Sequence, residues 1–290
     1  MGRDDQGKAR AATGGARRGP PGKGGDDAQR KPRIRRVPDP RMSRSVEYGL
    51  AMLQCFSSES PALGIADIAD IIQISRSTTH RYATTLVVLG YLEQDSKRKY
   101  RLSRRAGEPG MAAIGAMRLR PPARAILQEL RDQTGHTVSV GVLDGGRLLY
   151  VDRLLAHRAG QHDLDRDLGI GVAIPAHCTA LGKALLANLD DLYRITLLAD
   201  VELTRHGPNS ITQKRKLGAE LDRIREEGLA LSDEELIPGL RSIAAPVIDP
   251  RRERPIAIDV AVSSSAYTAR ELLAVIGPRL KRAAELVSAE

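Results

Sequence analysis

The segment from Ile65 to Gly90 constrains the fold most strongly, because two short helical patterns stand there with a break of only three residues between them. Apolar residues recur at i, i+3, i+4 and i+7 from Ile65 to Ile72, which is the stripe of an amphipathic helix. A second helix is predicted to begin at Arg76, since the preceding Ser75 can cap its first turn and Gly90 can end it. Two helices joined this closely predict a helix-turn-helix.

The residues on either side of this motif complete a small domain. An earlier helix that ends near Ser57 is predicted from an apolar stripe, whose members are Val46, Leu50 and Leu53. After the motif, Tyr91–Gln94 and Lys99–Leu102 predict two strands joined by a polar turn over Asp95–Arg98. Three helices followed by a hairpin are the plan of a winged helix-turn-helix.

The second helix of the motif has one inward and one polar, outward side. We expect the inward side to consist of Thr79, Tyr82, Ala83 and Leu86. Arginine can pair with guanine, and lysine with the phosphate backbone, so the outward side is suited to duplex DNA. The candidate DNA contacts are Arg76, Ser77, Thr78, His80 and Arg81 on the helix and Lys97, Arg98 and Lys99 at the hairpin tip, with Thr84 and Thr85 also facing outward. The alternative is an ordinary solvated face, on which His80 is a surface histidine.

The distribution of charge favours a DNA-binding N-terminal third. Residues 1–41 contain twelve Lys or Arg against five Asp or Glu, and residues 42–105 contain nine against six. Residues 106–290 contain 24 against 25, so the first 105 residues carry the whole positive excess behind the net charge of +9. The neutral remainder needs a different role, because charge alone attracts nucleic acid only where it is concentrated.

We expect four regions along the chain. Residues 1–41 lack large apolar side chains and are predicted to be a disordered basic arm, and residues 42–105 form the winged helix-turn-helix. Residues 106–122 are predicted to be a linker with a helical stretch at Met111–Met117, and a second helical stretch follows the proline pair, from Ala123 to Leu130. Residues 123–290 form a mixed α+β domain.

The pattern within the α+β domain predicts specific elements. Val138, Val140 and Val142 alternate and are followed by a turn over Asp144–Gly146 and a return strand over Leu148–Val151. Further strands are predicted at Ser242–Ile248 and Ile256–Val262, and helices at Cys178–Asn188, Thr212–Glu227 and Thr268–Val287.

The sequence disfavours several other classes of protein. No apolar run is long enough to cross a membrane and the N-terminus has no apolar signal core, so we expect a cytoplasmic protein. An enzyme that uses the adjacent Cys178 and His177 is the main alternative, although neighbouring residues rarely face each other. We find no phosphate-binding glycine loop and no metal-ligand spacing, and expect no cofactor and no metal. A third alternative, an architectural DNA-binding protein without a ligand, would not need the nearly neutral residues 106–290.

From about Ser43 onward the chain resembles the IclR family of bacterial regulators. Four segments carry this resemblance, in the order expected for the family: ISRSTTHRYATTL at 74–86, VLDGGRLLYVDR at 142–153, PAHCTALGKALLA at 175–187 and EEGLALSDEELIPGLRSIAAPVID at 226–249. The resemblance implies a winged helix-turn-helix, a linker helix used in dimerisation and a GAF-like domain that binds a small-molecule effector. It also implies a homodimer or a dimer of dimers, with a small organic acid or aromatic catabolite as effector.

The resemblance also implies a set of effector-binding residues. They are Thr179, Ala180 and Leu181 before and within the first helix of the domain, Asp233 and Glu234 in the acidic stretch, and Ser242 and Asp259 on the last strands. The chain departs from the family pattern at Ala261, where a small polar residue is common, and at His136, where an acidic residue is common. Without the family, Thr179 and Ser242 would be read as hydrogen-bonded structural hydroxyls, and Lys183 as a residue whose stem covers apolar surface.

Together these features predict a sequence-specific transcriptional regulator. We expect a dimer that places two recognition helices on a pseudo-palindromic operator, with an effector that changes the population of DNA-competent states.

Overall fold

The computed structural model describes residues 41–156, 168–249, 251 and 255–290. The predicted basic arm over residues 1–41 lies outside this part of the chain, apart from Arg41.

The N-terminal domain has the predicted three helices and hairpin. Its helices are α1 (Arg44–Leu53), α2 (Ile65–Ile72) and α3 (Arg76–Val88), and its strands are β1 (Leu92–Gln94) and β2 (Tyr100–Leu102), which pair antiparallel. The Ser75 side chain accepts a hydrogen bond from the Thr78 amide at 3.2 Å, which confirms it as the cap of α3. Gly90 follows α3 with a φ of +79°, a left-handed conformation that favours glycine.

The packing of α1 differs from the prediction. Val46 and Leu50 are 60% and 56% exposed, so of the stripe that predicted this helix only Leu53 packs against the core. Ala51 and Met52 are buried instead, and they belong to the cluster that holds α2, α3 and the hairpin together. The helix has apolar residues on two sides, and local periodicity cannot tell which of them meets the rest of the domain.

The predicted linker forms helix α4 (Arg104–Met117), whereas the next helix, α5 (Pro121–Thr134), packs in the core of the C-terminal domain. Helix α4 begins earlier than the stretch predicted at Met111–Met117 and continues through Pro109. The proline pair forms the first two positions of α5, where the missing amide hydrogens cost nothing.

The C-terminal domain is built on one antiparallel sheet of six strands, in the order β5-β4-β3-β8-β7-β6. The strands are β3 (Thr137–Asp144), β4 (Arg147–Leu154), β5 (Ala173–Pro175), β6 (Ala230–Asp233), β7 (Leu240–Val247) and β8 (Ile256–Ser263). The two edge strands β5 and β6 were not predicted, because they are too short to show a period.

In addition to α5, the described part of this domain has five helices: α6 (Ala180–Ala187), α7 (Asp191–Asp200), α8 (Lys214–Glu227), α9 (Ala269–Val275) and α10 (Gly277–Ala289). The helix predicted from Cys178 begins at Ala180, because Cys178 ends a 3₁₀ turn over Ala176–Cys178 and Thr179 caps α6. The single helix predicted over Thr268–Val287 is interrupted at Ile276. Helix α7 was not predicted, since none of its residues is buried and its pattern is therefore weak.

The sheet separates two apolar clusters. Helices α5, α9 and α10 contribute to the cluster on one face, through residues such as Leu127, Leu272 and Leu280. Helices α6 and α8 contribute to the cluster on the other face, through residues such as Leu181 and Leu221. The fold is thus α+β, with helices on both faces of an antiparallel sheet. None of the helices in the described ranges is long and apolar enough to cross a membrane.

Candidate functional sites

Helix α3 presents a polar face away from its core. Thr79 and Ala83 are completely buried, whereas Arg76, Ser77, His80 and Arg81 are exposed. Thr78 is half-buried and its hydroxyl accepts a hydrogen bond from the Ser75 hydroxyl at 2.8 Å, so its side chain is engaged in the cap.

Helix α1 supports the orientation of α3. The Tyr82 hydroxyl hydrogen-bonds to the Ser45 hydroxyl at 3.2 Å, and the Tyr82 ring lies 5.9 Å from the Tyr48 ring. The guanidinium of Arg81 lies 5.9 Å from the centre of the same Tyr82 ring, which is within cation–π distance. The contact between Tyr48 and Tyr82 therefore packs α1 against α3 and leaves Arg81 on the surface.

The hairpin tip directs cationic side chains outward. The Asp95 carboxylate accepts hydrogen bonds from the amides of Lys97 and Lys99, both at 2.9 Å. These backbone hydrogen bonds, with the nearby Arg101, lower the pKa of Asp95. The Asp95 carboxylate is thus hydrogen-bonded to backbone amides within the turn, and the side chains of Lys97, Arg98 and Lys99 are exposed. The hairpin is fastened to the domain by the reciprocal amide–carbonyl bonds of Leu63 and Tyr100.

A second candidate site is a pocket in the C-terminal domain, on the sheet face that packs against α6. It is narrow, with a cavity volume of about 20 Å³, and the wider space around it is open to solvent. The lining consists of polar and charged residues, Ser139, Arg153, Thr179, Ser232, Ser242 and Asp259, together with Tyr150, Leu168, Leu236, Leu240 and Ala261.

A β-bulge in β4 shapes this pocket. Asp152 pairs with Val140 and Tyr150 pairs with Gly141, so Val151 is an extra residue in β4. In a regular strand Tyr150 and Arg153 would point to opposite faces. The bulge brings both into the pocket lining, where the Arg153 guanidinium lies 5.8 Å from the centre of the Tyr150 ring.

The structure places three of the seven candidate effector residues in the lining: Thr179, Ser242 and Asp259. Thr179 is held as the cap of α6, where its hydroxyl accepts a hydrogen bond from the Gly182 amide at 3.0 Å. Asp259 accepts a hydrogen bond from the Ser139 amide at 3.2 Å. Both side chains are therefore fixed by the fold before any ligand binds.

The other four candidates lie outside the lining. Ala180 and Leu181 are completely buried in the cluster between α6 and the sheet. Asp233 forms an ion pair with Arg241, with a distance of 2.7 Å to its Nε, and the Glu234 carboxylate accepts a hydrogen bond from the Gly239 amide at 2.8 Å. Alternation in β6 points Ser232 into the pocket and hence turns Asp233 away from it.

Several lining residues were missed by sequence reasoning. Ser139 could have been found, because it occupies a polar position in the alternating run of β3. Arg153 and Tyr150 could not, since the bulge that joins them depends on pairing with β3. Of the two family departures, Ala261 lines the pocket, whereas His136 packs edge-on against Tyr267 at 5.5 Å.

The geometry at Cys178 and His177 argues against nucleophilic catalysis. Cys178 is completely buried, and burial raises the pKa of its thiol to about 12. Its sulfur donates to the Pro175 carbonyl at 3.5 Å, while His177 Nε2 lies 3.0 Å from the Thr204 carbonyl. Burial also lowers the pKa of the His177 imidazole. The two side chains bond to different main-chain oxygens and do not form a nucleophile–base pair.

Lys183 corrects another expectation. Its side chain is 1% exposed, so its stem does not lie along the surface with the ammonium group in water. The ammonium group forms an ion pair with the buried Glu235 and lies 3.7 Å from a carboxylate oxygen of Glu220. Burial raises the pKa of Glu235 even though Lys183 opposes this shift. The pair joins α6 to the segment that follows β6.

Two family models match the chain and together span most of it. The IclR helix-turn-helix domain matches residues 45–96, and the bacterial transcriptional regulator IclR C-terminal domain matches residues 111–289. The N-terminal match contains α3 and the C-terminal match contains the whole pocket.

Individual proteins of known name are also similar. The chain is 34% identical over 228 residues to the HTH-type transcriptional regulator XynR of Escherichia coli, covering 78% of this chain and 87% of XynR. An IclR homolog from Microbacterium hydrocarbonoxydans complexed with 4-hydroxybenzoate has a TM-score of 0.68 at 22% identity, covering 84% of this chain and 98% of that one. A double mutant of the PobR inducer-binding domain from Acinetobacter, in complex with 3-hydroxybenzoic acid, has a TM-score of 0.53 at 27% identity, and the match covers 58% of this chain and 98% of that domain.

Proposed function

The chain belongs to the IclR family of bacterial transcriptional regulators, and on this basis we propose that it binds operator DNA through α3 and the hairpin and responds to a small carboxylic acid in the C-terminal pocket. It is a regulator and not an enzyme. The observation that carries the DNA-binding part is the exposed polar face of α3 beside three outward cations of the hairpin.

Base reading and phosphate binding are assigned to different elements. Arg81 is exposed in the N-terminal half of α3, the part of a recognition helix that contacts base edges in the major groove. Lys97, Arg98 and Lys99 lie at the hairpin tip, where their point charges suit the phosphate backbone. Arg76, Ser77 and His80 flank Arg81 as further candidate contacts.

Replacing Arg81 with alanine should therefore relax specificity at one base pair, at a cost of about 1–3 kcal/mol on the preferred site, because a bidentate contact to guanine is lost. Lys97→Ala should weaken binding to every sequence by a similar factor and reduce the salt dependence. The measurement is a salt titration on sites selected from randomised duplexes, with single-base variants of each site. Equal, sequence-independent losses for both variants would contradict the role of Arg81.

A dimer is the assembly that we propose, with α4 as its contact. Within α4, whose residues are all described, only Ile114 is buried. A Cβ on Gly107, Gly110 or Gly115 would meet nothing within 4 Å, so no neighbour in this chain requires glycine there. Each glycine costs a helix about 1 kcal/mol relative to alanine, so an isolated α4 is weak and a second α4 packed closely against it would supply the missing support.

The small residues Ala112 and Ala116 lie on the side of α4 opposite Ile114 and are exposed. Ala112→Glu should raise the dimer dissociation constant by roughly two orders of magnitude, because it places an unpaired charge in the contact. Sedimentation equilibrium measures this directly. Ala274→Glu, at an exposed helical position of α9, is the matched control and should leave the assembly unchanged. Equal dissociation constants for the two variants would exclude this face of α4.

We assign a small carboxylic acid with a hydroxyl group to the pocket. Arg153 supplies a cation for the carboxylate, whereas Asp259, Ser242 and Thr179 can bond to a hydroxyl group. Leu236 and Leu240 supply an apolar wall for a ring or chain. The hydroxybenzoates that are bound in the two solved relatives have this combination of groups.

Calorimetric titration with 3- and 4-hydroxybenzoate tests the assignment. Arg153→Gln should weaken binding by roughly 10- to 100-fold, because a charge-assisted hydrogen bond of about 1.5–3 kcal/mol is lost. Arg270→Gln removes an exposed arginine from α9 and serves as the control. Absence of binding by either compound, or equal affinity in both variants, would contradict the assignment.

A contact between the pocket edge and α4 provides a route for the effector signal. Leu168 lines the pocket, and the following Gly171 hydrogen-bonds to the Tyr150 carbonyl at 2.9 Å. A Cβ on Gly171 would lie 3.1 Å from the Ile114 side chain, so this segment packs directly against α4. A ligand that moves this edge would change the position of the linker helix and thereby the population of DNA-competent dimers.

A further inference from the structure

After Arg81, the exposed side of α3 carries small β-branched residues and no further cation. Thr84, Thr85 and Val88 stand three, four and seven residues after Arg81, so all four side chains share one side of the helix. Thr84 and Thr85 are exposed, and Val88 is 81% exposed.

The two threonine hydroxyls are not directed outward. Thr84 Oγ1 donates to the His80 carbonyl at 2.9 Å, and Thr85 Oγ1 donates to the Arg81 carbonyl at 3.0 Å. A hydroxyl has one hydrogen, so neither group has a donor left for a base. What remains for an external contact is the methyl group of each threonine and the acceptor side of its hydroxyl oxygen.

Together with Val88, these methyl groups form an apolar strip directly beside a cationic side chain. β-branched residues are not favoured in helices, and an exposed valine gains nothing from water. In the major groove, however, the apolar group that a base pair presents is the 5-methyl of thymine. The strip therefore has the chemistry of a thymine contact.

We propose that Thr84 and Thr85 read the 5-methyl group of thymine within two base pairs of the contact made by Arg81. The proposal rests on the proposed function, since it requires α3 to enter the major groove. Thr84 and Thr85 lie about 4.5–6 Å along the helix from Arg81. Successive base pairs are about 3.4 Å apart, so this distance corresponds to at most two base pairs.

The experiment begins with binding sites selected from randomised duplexes by the full chain. Each thymine of a selected site is then replaced by deoxyuridine, which keeps every hydrogen-bonding group and lacks only the 5-methyl. At the contacted positions this change should weaken binding about fourfold per methyl group, the effect of withdrawing one buried methylene-sized group.

Paired variants separate the methyl from the hydroxyl. Thr84→Ser and Thr85→Ser keep the hydroxyl and remove the methyl, so the protein should no longer distinguish thymine from deoxyuridine at the contacted position. Thr84→Val and Thr85→Val keep the methyl and should preserve that discrimination. Thr196→Ser is the matched control, because Thr196 makes the same bond to the carbonyl four residues earlier, at 2.9 Å, but lies on α7.

The outcomes distinguish the inference from the function on which it rests. The methyl contact is overturned if deoxyuridine has no effect at any position of a selected site. It is also overturned if the site has no thymine within two base pairs of the position at which Arg81→Ala relaxes specificity. Either result leaves the proposed function as a DNA-binding regulator unaffected. If the valine variants no longer distinguish thymine from deoxyuridine but the serine variants still do, the hydroxyl makes the contact, and the proposed methyl contact is overturned. Failure to select any site overturns both.

Discussion

Replacing Lys183 with methionine should lower the free energy of unfolding by about 3–5 kcal/mol, the cost of leaving a buried charge without its partner. Lys183 is 1% exposed and is paired with Glu235, which is itself buried. Glu220 lies 3.7 Å from the ammonium group and would lose one of its cations as well. The methionine side chain fills nearly the same volume, so the loss reflects charge and not a cavity.

Denaturant unfolding of the full chain measures this effect. Lys216→Met, at an exposed position of α8, is the control and should change stability by less than about 0.5 kcal/mol. The double variant Lys183→Met with Glu235→Leu should recover much of the loss, because both members of the pair are then absent. A Lys183→Met protein as stable as the control would show that the pair makes no net contribution.

The loss should also depend on pH, in a direction set by Glu235. Burial raises the pKa of this carboxyl in the folded state, so the folded protein holds its proton more tightly than the unfolded chain does. Stability is then greater below the unfolded pKa and falls as the pH rises through the folded pKa. Without Lys183 this shift increases, and we expect Lys183→Met to be less destabilising at pH 5 than at pH 7.5.

Replacing Gly182 with alanine should destabilise the protein by about 3 kcal/mol or more, because overpacking against backbone cannot be relieved by a side-chain rotation. A Cβ at this position would overlap the Ala176 carbonyl oxygen and stand 2.5 Å from the Ala176 Cα. The Gly182 amide also donates to the Thr179 hydroxyl at 3.0 Å, so the strain would reach a residue of the pocket.

A matched substitution in the same domain should have the opposite sign. Gly218 lies inside α8, and a Cβ there meets nothing within 4 Å. Gly218→Ala should therefore stabilise the protein by about 0.5–1 kcal/mol, since alanine has the higher helix propensity. Denaturant midpoints of the two variants test both signs, and destabilisation of equal size in both would contradict the steric explanation for Gly182.

The N-terminal domain could be predicted almost completely, because its signals are local. The cap at Ser75, the stop at Gly90 and the apolar stripe of α2 each depend on residues within one or two turns. The exposed side of α3 followed from the same periodicity. The buried face of α1 did not, since Met52 is selected by contact with α2 and α3 and not by the pattern along α1.

The pocket shows the opposite case. The resemblance nominated Thr179, Ser242 and Asp259, which line the pocket, and also Asp233, which alternation in β6 turns toward Arg241. Arg153 was not predicted to line the pocket, because one unpaired residue in β4 reverses the side to which the following residues point.

By itself, the sequence determined the helix-turn-helix, its charged surroundings, the α+β class of the second domain and the family, because these depend on local periodicity, caps and motifs. Only the tertiary structure decided which face of α1 is buried, that Lys183 is paired within the core, and which side chains meet in the pocket. Those features depend on strand pairing and on contacts between residues far apart in the chain, for which a pattern of neighbouring residues contains no signal.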